Sequence, residues 1–234
     1  EGRLEYDWDD ARGSEGLKRA VEFAKKYDGA CNGRMTAMLF PGHVDSCTPK
    51  LLNQTRAAAR ELGTRVQIHA TINLFEFHTV MQRERCTPVE LLHKIGFLDP
   101  EVSLSHCIFI SGHSWLAYPY GNDLKIIADV GASVAYSPLK YLKLGIVMES
   151  FDKYLKAGIN MGIGTDTFPK DIISDMRYAS LASRVAEKSF VAGHPRDVFN
   201  AATLGGAKLV GRDDLGRLQK GAKADIAIVN LKDI

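Results

Sequence analysis

Three apolar runs in this chain end in side chains that bind metals. Val66-Gln67-Ile68 leads into His69, Val102-Ser103-Leu104-Ser105 into His106, and Met161-Gly162-Ile163-Gly164-Thr165 into Asp166. Short runs of this kind, bounded by turn residues, read as strands covered on both faces. A donor at the same end of each predicts one site at the carboxyl-terminal rim of a parallel sheet, where α/β folds keep their chemistry.

Helical patterns separate the strands. After a polar, glycine-punctuated lead over 1–14, apolar spacing predicts a helix over 16–27, then a strand over 34–40 stopped by Pro41-Gly42. Thr48-Pro49 opens a helix that Gly63 ends, and strand 65–69 follows. A helix over 74–85 and a capping box, Thr87 to Glu90, leading into 91–95 come before strand 102–110. Beyond an aromatic loop over 112–122 come helix 123–130, strand 132–136, helix 151–157 and strand 160–165. Helices over 172–188 and 195–204 complete the pattern, and a weak alternation over 224–231 predicts a β segment. Strand and helix thus alternate about five times, at a spacing of roughly 25 to 35 residues, which is the βα repeat. Five parallel strands can form an open sheet. The reading adopted is α/β, a (β/α)8 TIM-type barrel of which this chain supplies about strands 4–8, the missing strands lying upstream. Residues 1–210 form this barrel part, and 211–234 the returning edge of a small β domain.

Composition excludes more than it selects. A formal charge of +2 without a basic stripe gives no case for nucleic acid, and no apolar run is long enough for a membrane span. Cys31, Cys47, Cys86 and Cys107 are widely spaced, as reduced thiols of a cytoplasmic protein are. Neither a glycine-rich phosphate loop nor Gly-x-Ser-x-Gly is present, so phosphate-loop and nucleophile-elbow chemistry have no sequence basis.

What the residues do allow is a metal centre. His69, His106 and Asp166 offer imidazole and carboxylate donors suited to Zn²⁺, with Fe²⁺ or Mn²⁺ as alternatives. Such an ion activates water, Asp166 can take its proton, and His106 can orient the water or serve as a further ligand. His43, after the strand before, and His113, in the aromatic loop, are candidates for the substrate pocket. Trp115, Tyr118, Tyr120 and Tyr141 offer flat walls for a planar ring.

From about Arg34 on, the chain resembles the amidohydrolase superfamily. The likeness is to the carboxyl-terminal part of its cytosine, guanine and S-adenosylhomocysteine deaminase and triazine hydrolase branch. The marks are Ile68-His69, Ser105-His106-Cys107, the run from Tyr136 to Gly145, Gly162-Ile163-Gly164-Thr165-Asp166, Ala201-Ala202-Thr203 with Gly205-Gly206-Ala207, and the run from Leu215 to Asp225. The resemblance implies that His69 and Asp166 bind the metal and that His106 orients water or substrate. It further implies that the serine, tyrosine and lysine stretch over 136–143, with Tyr136, Lys140 and Tyr141, lines the pocket, and that the last motif returns to a small β-sandwich. It also implies a His-x-His pair on the barrel's first strand; His43-Val44-Asp45 belongs to a later one. Where the deaminases carry a proton-shuttling glutamate three residues after the histidine that matches His69, this chain has Ile72, and Glu76 can substitute only if its loop turns it inward.

The expected activity is metal-dependent hydrolysis at a C–N or other ring-substituent bond of a planar nitrogen heterocycle, by a protein that forms a homodimer or larger homo-oligomer. The alternative is a catalytically inactive, ligand-binding relative of the same fold.

Overall fold

The computed structural model describes residues 6–230 and Lys232. Helix α1 (Asp10–Tyr27) starts earlier than its apolar pattern, because Asp9 accepts the Arg12 N–H and caps it; part of the expected polar lead is therefore helical. A turn-like α2 (Ala30–Gly33) precedes β1 (Met38–Leu39), far shorter than the expected 34–40. Next come α3 (Pro49–Leu62), capped by Thr48 and closed by left-handed Gly63, and β2 (Arg65–Ala70). Helix α4 (Leu74–Glu84) and α5 (Pro88–Lys94), with both halves of the predicted capping box formed, lead to β3 (Val102–His106). Then follow α6 (Asp123–Val130), β4 (Ser133–Tyr136), α7 (Pro138–Leu142), α8 (Phe151–Lys156) and β5 (Asn160–Ile163).

Strand β3 stops at His106 rather than 110, because His106 and Cys107 turn to φ 78° and 47°. Helix α7 was not expected: Ser137-Pro138 reads as a stop, yet proline at the first helical position starts a turn as readily as it ends a strand. Helix α9 (Ile172–Glu187) is capped by Asp171. The predicted helix 195–204 divides into α10 (Pro195–Asn200) and a π-helical stretch (Ala201–Gly205), and α11 (Gly206–Leu209) extends beyond it. Residues 223–230 carry no regular secondary structure, so the β segment expected over 224–231 is not formed among the described residues; Leu231 lies outside them.

Among the described residues all five strands are parallel, and their order in the sheet is β1-β2-β3-β4-β5. A sheet that never reverses its winding has no topological switch point, and right-handed crossovers then place the connecting helices on one face. The ladder register assigns the faces. Val66, Ile68, Leu104, Val134 and Met161 share one face and are all buried. Gln67, His69, Ser103, Ser105, Ser133 and Asn160 share the other, joined by hydrogen bonds from Gln67 to Ser105 (2.8 Å) and from Asn160 to Ser133 (3.0 Å). This partial barrel-like sheet therefore has one apolar face and one polar face. Among the described residues no helix is long and apolar enough to cross a membrane.

Candidate metal centre

The chain beyond β1 continues the sheet for one more residue. His69 donates its backbone N–H to the Gly42 carbonyl (2.9 Å), Val44 donates to the His69 carbonyl (3.3 Å), and His43 pairs with His69 across this bridge. Their rings stand 4.4 Å apart, centre to centre. His69 in turn stacks on His106, with centroids 5.1 Å apart and planes 2° apart.

Register alone would separate these last two. His69 lies opposite Ser105, so a regular pleat would send His106 to the other face. The left-handed backbone at His106 turns its ring back beside His69. Thr71, Cys107 and Asp166 are left-handed too, so the carboxyl-terminal ends of β2 and β3 and the turn after β5 all carry the sparsely populated conformation that clusters at functional sites.

Asp166 completes the row. Its Oδ2 lies 3.8 Å from His106 Nε2 and 2.7 Å from the Lys140 ammonium, which is itself 3.5 Å from His106 Nε2. Burial, assisted by Lys140 and His69, pushes His106 down to about 3; burial and the neighbouring His43 lower His69 as well. Both imidazoles are therefore neutral at pH 7, the form that ligates metals. Burial acts to raise Asp166, but the hydrogen bond and charge of Lys140 outweigh it, and its pKa is lowered. His69 Nδ1 and His106 Nδ1 are buried without a hydrogen-bond partner among the described residues.

Behind His43 the structure gathers a second donor group. One ligand atom each of His43, Asp45 and Glu76 lie within 4.8 Å of one another, a metal-coordinating triad. Glu76 has turned inward: it is fully buried, and its two oxygens accept the backbone N–H groups of Thr71 (3.0 Å) and Ile72 (2.9 Å). Burial pushes its carboxyl up to about 8. The Tyr6 hydroxyl donates to Asp45 Oδ2, and Arg83 donates to the Asp45 carbonyl (2.9 Å).

The remaining candidates separate. Tyr141 is buried, its ring 5.3 Å from that of His106, and its hydroxyl has no partner among the described residues. Tyr136 is buried beside Phe151, and its carbonyl accepts the Gly164 N–H (2.9 Å). His113 has both ring nitrogens engaged, Nδ1 accepting the Trp115 N–H (3.2 Å) and Nε2 3.2 Å from the Val147 carbonyl; it fastens its loop. Trp115 packs edge-on against His113 and is 52% exposed. Asp45 did not stand out in the sequence as a site residue, and Lys140 was marked only by the family motif, within the stretch expected to line the pocket. The spacing of His43 and Asp45 was visible, but nothing local said that Glu76 would join them. A cavity of about 1260 Å³, lined by Arg65, Ser133, Asn160 and Lys208 among others, opens toward the amino-terminal ends of the strands, opposite this rim.

Comparison with known proteins agrees with the geometry. The model of the amidohydrolase family matches residues 9–234. The chain belongs to the amidohydrolase family. It is 29% identical over 229 residues to 5'-deoxyadenosine deaminase of Methanosarcina mazei, covering 96% of this chain and 51% of that protein. It is 32% identical to 5-methylthioadenosine/S-adenosylhomocysteine deaminase 2 of Archaeoglobus fulgidus, covering 94% and 51%. Among solved structures, the fold matches an adenosine deaminase from Xanthomonas campestris with bound zinc at a TM-score of 0.77 and 21% identity, covering 87% of this chain and 45% of that one. It also matches an atrazine chlorohydrolase from Arthrobacter aurescens complexed with zinc, at 0.78 and 24%, covering 94% and 48%. This amidohydrolase chain spans about half the length of the curated relatives it matches.

Proposed function

We propose that this chain is part of a metal-dependent hydrolase that cleaves a C–N or other ring-substituent bond of a nitrogen heterocycle. The observation that carries the reading is the gathering of imidazole and carboxylate donors at one rim of a parallel sheet in an amidohydrolase. Neutral histidines beside an ionised aspartate, with His106 Nε2 3.8 Å from Asp166 Oδ2, fit a divalent cation, and the zinc in the two solved relatives favours zinc here. His69, His106 and Asp166 are the ligands proposed. A divalent ion held there brings the pKa of a water near 7 and polarises the atom under attack.

The chain's own groups do the rest. Asp166, 36% exposed at its side chain, is open to solvent and accepts the proton of the attacking water. His106, held by its left-handed backbone, orients that water against the ring. Tyr141, with His43, lines the pocket, and Trp115 and His113 stand in the loop after β3; Tyr136, expected there too, shares the apolar face of Val134 and packs against Phe151 instead. Glu76, turned inward beside His43, is assigned the passing of a proton onward in place of the missing glutamate at Ile72, a role its inward turn and raised carboxyl pKa support.

The five strands are assigned to positions four to eight of a TIM-type barrel, in keeping with their unreversed order, and 211–234 to the return toward a small β-sandwich. Four free cysteines agree with a cytoplasmic location. The deaminase and triazine-hydrolase relatives point to a planar heterocycle such as a purine or triazine.

A panel of purines, pyrimidines, triazines and pterins, assayed for release of ammonia or another leaving group, tests the reading. Turnover that stops with chelator and in Asp166→Asn supports it; equal rates for mutant and wild type overturn it. The tighter convergence of His43, Asp45 and Glu76 favours a second reading, in which that triad holds the ion. Loss of bound zinc in Asp45→Asn but not in Asp166→Asn would establish it.

A further inference from the structure

We infer that Lys140 is the resident cation of the Asp166–His106 pair, that it competes with a divalent ion for this pair, and that it thereby sets the metal affinity of the site. The inference rests on the reading of Asp166 and His106 as metal ligands. The Lys140 ammonium lies 2.7 Å from Asp166 Oδ2 and 3.5 Å from His106 Nε2, and those two atoms are 3.8 Å apart. The three form a small triangle with the positive charge at one corner. An ion bonded to both donors at about 2.1 Å would lie nearly on the line between them, within roughly 3.5 Å of the ammonium. Two like charges at that distance repel strongly in a partly desolvated pocket, so both cannot hold the pair at once.

The backbone decides which of them moves. Lys140 sits on α7, whose Leu139 N–H is tied to the buried carboxylate of Asp175 in α9 (3.0 Å), so the helix turn itself is fixed. The side chain is not: it is 33% exposed and ends a flexible four-carbon stem. An incoming divalent ion therefore displaces the ammonium by rotation of the Lys140 side chain, without moving α7. The Tyr141 ring, 5.9 Å from Nζ, keeps a favourable contact for a cation leaving the carboxylate.

Zinc dissociation constants, measured by competition with a chromophoric chelator at pH 7, test the inference. Lys140→Met and Lys140→Gln should bind zinc about tenfold more tightly than wild type, and Lys140→Arg close to wild type. In an Asp166→Asn background the Lys140→Met effect should disappear, because the ammonium has lost its partner. The wild-type protein gives a second readout: zinc should raise the rate at which an acylating reagent modifies Lys140, read by peptide mass spectrometry. Folded Met and Gln variants that bind zinc no more tightly than wild type, or a Lys140 acylation rate unchanged by zinc, would overturn it. If Asp166→Asn alone leaves zinc affinity unchanged, the ligand assignment itself has failed, and the competition falls with it.

Discussion

The meeting of His69, His106 and Asp166 at one rim was legible because each is a polar side chain at the end of an apolar run, and strand-helix alternation brings such ends together. What the runs did not show is how His106 comes to face His69. The pleat would have parted them, and one left-handed residue undoes that parity. Asp45 was not legible as a site residue, since it lies on a loop whose position depends on packing from elsewhere, and Lys140 was legible only through the family motif as a pocket residue, not as the partner of Asp166. Tyr141 supports a prediction at this scale. Its buried hydroxyl has no partner among the described residues, and an unsatisfied buried hydroxyl costs about 1 to 3 kcal/mol. Tyr141→Phe should therefore leave urea stability unchanged or raise it by about 1 kcal/mol. A loss of more than about 1 kcal/mol would show that the hydroxyl is already hydrogen-bonded.

Between elements, the informative contacts join neighbouring βα units. Asp123, first residue of α6, accepts the hydroxyl of Thr87 (2.5 Å), the cap of α5, and the Ser111 N–H (2.8 Å). Burial outweighs these bonds and raises its carboxyl to about 6. Because the folded pKa exceeds the unfolded one of about 3.9, the folded state holds the extra proton across that window. Stability from this group therefore falls as pH rises from about 4 to about 6, and the loss is complete above that range. Asp123→Asn should flatten this part of the profile, as urea unfolding at pH 4, 5, 6 and 7 would measure. A slope unchanged in the mutant would refute the assignment. Gly205 marks another junction. A Cβ there would stand 2.0 Å from the Met161 carbonyl oxygen of β5, and no backbone can yield that much. Gly205→Ala should lower stability by about 3 kcal/mol, seen as a lower denaturant midpoint. The sequence pattern ran this region as one helix through 204; packing against β5 breaks it into a π-helical stretch.

For the whole molecule, the donors come from segments that meet only when β1, β2, β3 and β5 are in place, so metal binding and folding are linked. Zinc at about a hundred times its dissociation constant should add about 2.7 kcal/mol of stability, an upward shift of roughly 5 °C in thermal unfolding. Asp166→Asn should shift much less. An equal shift in both would separate the stabilising ion from Asp166. The sequence by itself determined the alternation of strand and helix, the parallel sheet, the strand-end donors and the family, since periodicity and end residues are local properties. Only tertiary structure decided which donors converge. The inward turn of Glu76 beside His43 and Asp45, the ring of His106 brought back over His69, and the ammonium of Lys140 set on Asp166 all depend on turns and helix ends fixed by distant packing. No local pattern encodes that packing.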